Sequence, residues 1–101
     1  MTVPVAVDDS RLAEFCERHS INRLALYGSV LRPEFGPDSD IDVLVEFESG
    51  QVPGLLGIAR MERELSSLLN GREVDLRTPE DLSRYFRQDV IDEAEVVFER
   101  E

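Results

Sequence analysis

The sequence predicts a small α/β domain of the α+β kind, in which a mixed three-stranded sheet is flanked by helices. Short apolar segments that fit strands alternate with longer segments whose apolar residues recur every three or four positions. A Gly-Ser connection between the first two strands suits an antiparallel pairing. A helix between the second and third strands predicts a right-handed crossover and a parallel pairing. We therefore expect one domain spanning residues 1–101.

The first half of the chain is predicted to contain one helix and two strands. Residues 1–7 suggest a loose lead-in or a short edge strand. Asp8 or Asp9 is expected to cap a helix that ends near His19. The first strand is Ile21–Tyr27, and Ser29 to Arg32 can form a helical turn that Pro33 ends. The helix should bury Leu12, Phe15 and Cys16, and the second strand should bury Ile41, Val43, Val45 and Phe47 on one face, opposite Leu44.

The second half is predicted to contain three helices and a strand. A helix from about Gly54 to Asn70 is followed by a strand at Glu73–Arg77. Thr78-Pro79 begins another helix, with Thr78 as its cap. The buried face of the long helix is expected to be Leu55, Ile58, Met61, Leu65, Leu68 and Leu69, and that of a last helix Val90, Ile91, Ala94, Val97 and Phe98.

The charge and the residue types exclude several classes of protein. A net charge of −11 repels a phosphate backbone, which argues against direct nucleic-acid binding. All 11 basic residues are Arg, so a Walker-type phosphate loop with its Lys is excluded. The single cysteine, Cys16, excludes an internal disulfide and fits a reducing cytoplasm. No segment is apolar for long enough to span a bilayer, and His19 at a helix end suits the helix dipole better than catalysis.

The candidate site begins in residues 28–42, which read GSVLRPEFGPDSDID. Asp40 and Asp42 are expected side by side at the start of the second strand, where they repel unless cations intervene. Asp75 on the third strand should face the same side, with Glu73 as the alternative. Three such aspartates can bind two Mg²⁺ ions. The phosphate-binding candidates are Gly28, Ser29 and Arg32, which offer close backbone approach, donors and a planar cation.

Two other interpretations of the acidic cluster compete with this one. A calcium loop would use Asp38, Asp40 and Asp42, but its sixth and twelfth positions hold Val43 and Ser49 instead of Gly and Glu. That interpretation is rejected. The other is a plain turn followed by a solvated strand start, which suits each pair taken separately. Both pairs at one fixed spacing should occur by chance in on the order of one chain in a thousand of this length.

The segment YGSVLRPEFGPDSDIDVLVEF resembles the core motif of the DNA polymerase beta-like nucleotidyltransferase superfamily, in particular its minimal nucleotidyltransferases. GREVDLRTPEDLSRYF is similar to the segment that carries their third aspartate. The resemblance implies that Gly28 and Ser29 hold ATP and that Asp40 and Asp42 bind both Mg²⁺ ions. Asp75 would bind the catalytic ion and help to activate the acceptor hydroxyl. Family members often have Gly where this chain has Pro33, which leaves the role of Arg32 open.

The resemblance also implies a partner. Minimal members commonly act as antitoxins that transfer AMP from ATP to a tyrosine of a helical toxin of the HEPN family. The acidic surface would suit a basic partner of this kind. Two alternatives are an antitoxin that neutralises its partner by binding alone, and nucleotidyl transfer to a small molecule or RNA. The sequence leaves open the acceptor, the nucleobase and the roles of Arg77, Arg84 and Tyr85.

Overall fold

The computed structural model describes residues 8–33, 36 and 39–100, so the interpretation of residues 1–7 lies outside the described part. It contains four strands, which are β1 (Ile21–Tyr27), β2 (Ile41–Phe47), β3 (Val74–Arg77) and β4 (Glu95–Glu99). The α-helices are α1 (Asp9–Arg18), α2 (Leu55–Leu68) and α3 (Arg87–Glu93). Two short 3₁₀ helices, Gly28–Leu31 and Pro79–Asp81, follow β1 and β3.

The strands form one mixed sheet in the order β3-β2-β1-β4. β1 and β2 are antiparallel, whereas β2 and β3 are parallel. Both predicted pairings are therefore confirmed, as is the α/β class. The third strand is joined to the second through α2, as a right-handed crossover requires.

The prediction of three strands and a long last helix is wrong. α3 ends at Glu93, and Val97 and Phe98 belong to β4, which pairs antiparallel with β1. In this pairing Leu24 lies opposite Phe98, and Leu26 lies opposite Glu95. Adjacent valines and an aromatic residue suit a strand, and without β4 one edge of β1 would keep its backbone groups unpaired. Pairing at this edge therefore outweighs the helical spacing.

The main core lies between one face of the sheet and the helices α1 and α2. Asp8 caps α1, as predicted, because its carboxylate accepts hydrogen bonds from the backbone N–H groups of Ser10 and Arg11 at 3.0 and 3.2 Å. The predicted helix face is confirmed: Leu12, Phe15 and Cys16 are all buried. From the sheet the core receives chiefly Ile21, Leu24, Leu26, Ile41, Val43 and Val45.

α2 buries a shorter apolar face than the spacing predicts. Met61, Leu65 and Leu69 are buried, but Leu55 is 90% exposed, so its assignment to the core is wrong. Leu55 is the first residue of α2, immediately after the loop from β2, and Leu56 beside it is exposed as well. The helix contacts the core only from Ile58 onward.

The second face of the sheet is covered over part of its length. Leu44, predicted to lie opposite the core, is buried together with Ala25, its partner on β1. The chain after β3 adds two buried residues, Pro79 and Leu82, and its 3₁₀ helix Pro79–Asp81 contacts β2. Thr78 forms the predicted cap, but the helix that it begins is only this one turn. No helix in the described residues is long and apolar enough to cross a membrane.

Candidate active site

The candidate site lies where the C-terminal end of β1 meets the N-terminal ends of β2 and β3. Tyr27 is the register partner of Asp42, and Asp42 is the register partner of Asp75. Neighbouring strands lie about 4.8 Å apart. The antiparallel and parallel pairings thus place Asp42 and Asp75 next to each other, although a whole helix separates them in sequence.

The carboxylate of Asp42 is in an unfavourable environment. Its pKa is raised, first by burial and then by the negative charges of Asp75 and Asp40, while Arg77 acts in the opposite direction. Burial and the charge of Asp42 also raise the pKa of Tyr27. Both shifts indicate an excess of negative charge at this end of the sheet. A cation bound here would stabilise the charged form of Asp42.

Gly28 is required by the position of Asp42. It has a φ of +75°, which favours glycine. A Cβ at this position would lie 2.6 Å from Oδ2 of Asp42, so any side chain here would displace that carboxylate. From the sequence, Gly28 is expected to let a triphosphate approach the backbone closely. The structure adds that the absence of a side chain here makes room for the carboxylate.

The remaining phosphate-binding candidates lie on the turn after Gly28. The hydroxyl of Ser29 donates to the backbone carbonyl oxygen of Asp40 at 3.4 Å, a long hydrogen bond that joins the turn to the start of β2. Asp40 precedes the strand and is exposed. Arg32 is also exposed, and its backbone N–H closes the turn on the carbonyl oxygen of Ser29 at 3.0 Å.

Asp75 is already engaged by a basic side chain. Nε of Arg77 donates to Oδ2 of Asp75 at 3.2 Å. Residues i and i+2 of a strand share a face, so the alternation in β3 could have indicated this pair. Glu73, the alternative to Asp75, lies before β3, is exposed and lines a cavity against α2 with Glu62 and Arg63. Asp75 is therefore the acid of this segment that stands beside Asp42.

Tyr85 and Arg87 lie in the segment between β3 and β4. Tyr85 is 83% exposed and its ring lies under the guanidinium of Arg84, so it is not a core residue. Arg87 donates to the carbonyl oxygens of Pro79 and Leu82 at 2.6 and 2.9 Å. It therefore joins the start of α3 to the segment that follows β3.

Asp42 and Asp75 can supply two carboxylate ligands to Mg²⁺ but not its whole coordination shell. Across residues 8–33, 36 and 39–100, no three acids, histidines or cysteines are grouped so that they could hold a metal ion. Asp42 and Asp75 nevertheless stand side by side and offer only oxygen ligands. Mg²⁺ needs few protein ligands because water and substrate phosphates complete its shell. The two carboxylates therefore fit Mg²⁺ once Asp75 is released by Arg77.

Comparisons with known proteins agree with this geometry. A family model described as a nucleotidyltransferase domain matches residues 10–97. A candidate protein adenylyltransferase of Methanocaldococcus jannaschii is 36% identical over 77 residues, which are 76% of this chain and 80% of that protein. The protein adenylyltransferase MntA of Thermococcus cleftensis is 41% identical over 63 residues, which are 62% of this chain and 61% of that protein.

Solved structures share the fold. The structure of a candidate minimal nucleotidyltransferase superposes with a TM-score of 0.69 at 38% identity and covers 85% of each chain. A toxin–antitoxin structure with AMP-PNP superposes with a TM-score of 0.72 at 18% identity, covering 94% of this chain and 76% of that chain. At this lower identity the second likeness concerns the fold alone.

Proposed function

This chain belongs to the nucleotidyltransferase domain family, and we propose that it transfers AMP from ATP to a hydroxyl group of a partner protein with the help of Mg²⁺. The observation that carries the proposal is the pairing of Asp42 with Asp75 beside the side-chain-free Gly28. Relatives named protein adenylyltransferases support transfer of AMP to protein. The proposed unit of function is the single domain of residues 1–101.

The residues of the site would divide the work as follows. The backbone at Gly28 and the N–H and hydroxyl of Ser29 would bind the triphosphate. Asp42 and Asp75, with Asp40 beside them, would hold Mg²⁺, and Arg32 would neutralise phosphate charge from the turn. Bound Mg²⁺ would neutralise charge on the phosphates and on the departing pyrophosphate.

In the proposed reaction, the acceptor hydroxyl oxygen forms a bond to the α-phosphorus of ATP. The bond from this phosphorus to the bridging oxygen breaks, and pyrophosphate leaves. Asp75, whose side chain is half-exposed, would take up the hydroxyl proton. An acceptor protein bound over the site would exclude water from the reaction.

We further propose that the acceptor is a tyrosine of a helical toxin of the HEPN family and that the chain acts as its antitoxin in the cytoplasm. The fold neighbours include complexes described as MntA-HepT toxin–antitoxin structures. The net charge of −11 suits a basic partner that acts on RNA. The half-exposed position of Asp75 keeps one side of the site open to a large acceptor.

Transfer of radiolabelled AMP from ATP to the protein encoded beside this chain tests the proposal. The wild-type chain with Mg²⁺ should label the partner, and Asp42→Ala should not. Asp89→Ala is the matched control, because Asp89 is an exposed acid in the first turn of α3. Label transfer that survives loss of both Asp40 and Asp42 would refute the proposed catalytic role.

A second candidate is an antitoxin that neutralises its partner by binding alone. The observation in its favour is the net charge of −11, which suits binding to a basic partner whether or not AMP is transferred. Cells that carry the toxin separate the two functions. If the double variant Asp40→Ala/Asp42→Ala still protects these cells, binding is sufficient; if protection is lost while the complex still forms, catalysis is required.

A further inference from the structure

Arg77 stands on the same face of β3 as Asp75 and in register with Leu44 of β2. Its Nε lies 3.2 Å from Oδ2 of Asp75. The surroundings are otherwise negative: the charge and hydrogen bond of Asp75, and the charge of Asp81, raise the pKa of Arg77. Arg77 is therefore a basic side chain that pairs with an acidic residue at this end of the sheet.

The ion pair is accessible to solvent. The side chains of Arg77 and Asp75 are 48% and 41% exposed. Ion pairs with this exposure are weak, because water screens the charges and two flexible side chains must be ordered. Arg77 can therefore leave Asp75 without disturbing the core.

We propose that Arg77 is a positioning residue that orients the carboxylate of Asp75 in the metal-free protein and competes with a divalent cation for that carboxylate. The inference rests on the proposed function, which assigns the cation to Asp42 and Asp75. A guanidinium and a divalent cation repel each other at one carboxylate, so binding of the cation requires Arg77 to withdraw.

The withdrawn side chain would have a second partner available. A nucleotide triphosphate at Gly28 and Ser29 would lie along the same end of the sheet, and a planar guanidinium binds phosphate oxygens with two parallel donors. Arg77 would thus exchange an aspartate for a phosphate when the metal and nucleotide enter. Before that, it partly neutralises the charge that raises the pKa of Asp42.

Binding of Mn²⁺ in the absence of nucleotide tests this competition. The binding is measured from the spectroscopic signal of the Mn²⁺ that remains free. Arg77→Gln should bind Mn²⁺ roughly three- to tenfold more tightly than the wild type, because one nearby positive charge is removed. Arg77→Lys keeps the charge and should restore the wild-type affinity. Arg18→Gln is the matched control: Arg18 pairs with Glu14 and Glu64 on the helices, on the opposite side of the sheet from Asp42.

The gain in melting temperature on adding Mn²⁺ gives a second readout, because loss of a merely structural ion pair would not change that gain. Arg77→Gln should melt at a lower temperature than the wild type in EDTA but gain more from saturating Mn²⁺. Equal or weaker Mn²⁺ binding by Arg77→Gln would overturn the inference.

The variant Asp42→Asn separates the two proposals. If it loses Mn²⁺ binding while Arg77→Gln binds like the wild type, only the role of Arg77 is refuted and the metal site stands. If Mn²⁺ binding is unaffected by Asp42→Asn, the site is elsewhere, and both the proposed function and the inference fail.

Discussion

Replacing Asp42 with Asn should stabilise the metal-free protein while it removes the activity. The two side chains have the same shape, so the change removes charge and little else. Two unit charges about 5 Å apart in water repel by roughly 0.8 kcal/mol. Partial burial of Asp42 strengthens this repulsion and Arg77 weakens it. We therefore expect a gain of about 1 kcal/mol, which is about 5 °C in melting temperature for a domain of this size.

The gain should depend on pH in a defined direction. Because the pKa of Asp42 is raised on folding, the folded wild type binds this proton more tightly than the unfolded chain does. Wild-type stability therefore falls as the pH rises from the ordinary aspartate pKa of 3.8 through the raised value, and the loss is complete above it. The advantage of Asp42→Asn should be full at pH 7 and vanish below about pH 4.

Thermal unfolding followed by circular dichroism in EDTA, between pH 4 and pH 7.5, measures this difference. Asp75→Asn is the comparison variant, since it removes the same repulsion but also the ion pair with Arg77. Its gain should be smaller than that of Asp42→Asn. A melting temperature for Asp42→Asn at or below that of the wild type at pH 7 would refute the electrostatic argument.

Three further outcomes follow from the same structure. Gly28→Ala should lower the free energy of unfolding by about 2 kcal/mol in chemical denaturation, because it combines a positive φ with the clash at Asp42. Gly50→Ala, with a φ of +78° and no neighbour within 4 Å, should lower it by about 1 kcal/mol. Burial raises the pKa of Cys16 to about 12, so this thiol should react with a thiol reagent at pH 8 only after unfolding. Glu62→Ala should cost about 1–2 kcal/mol, since its carboxylate accepts a backbone N–H of β3 at 2.8 Å; equal stability would show that water replaces it.

The location of the site could be predicted because it depends on local rules. The Gly-Ser pair lies at the end of one apolar strand, and Asp42 and Asp75 lie near the starts of two others. Alternation along each strand then selects the face. The lengths and types of the connections predict that β2 pairs antiparallel with β1 and parallel with β3. These rules need no knowledge of side-chain packing.

The final strand could not be predicted in the same way, because its apolar residues suit both a helix and a strand. Val97 and Phe98 continue the helical spacing of Val90 and Ile91, yet they pair with β1. That choice depends on a free edge of a strand more than sixty residues earlier in the chain. The same limit applies to Leu55, which has the correct spacing but lies beyond the region where α2 contacts the core.

The convergence of the site is a consequence of register. β1 is antiparallel to β2, and β2 is parallel to β3. The end of β1 and the beginnings of β2 and β3 therefore meet at one end of the sheet. A shift of β3 by one residue would turn Asp75 to the helix-covered face and bring Leu76 to the site. Leu76 is buried, so such a shift would expose an apolar side chain and bury a charge. The hydrophobic core therefore fixes the register of β3, and through that register it keeps Asp75 beside Asp42.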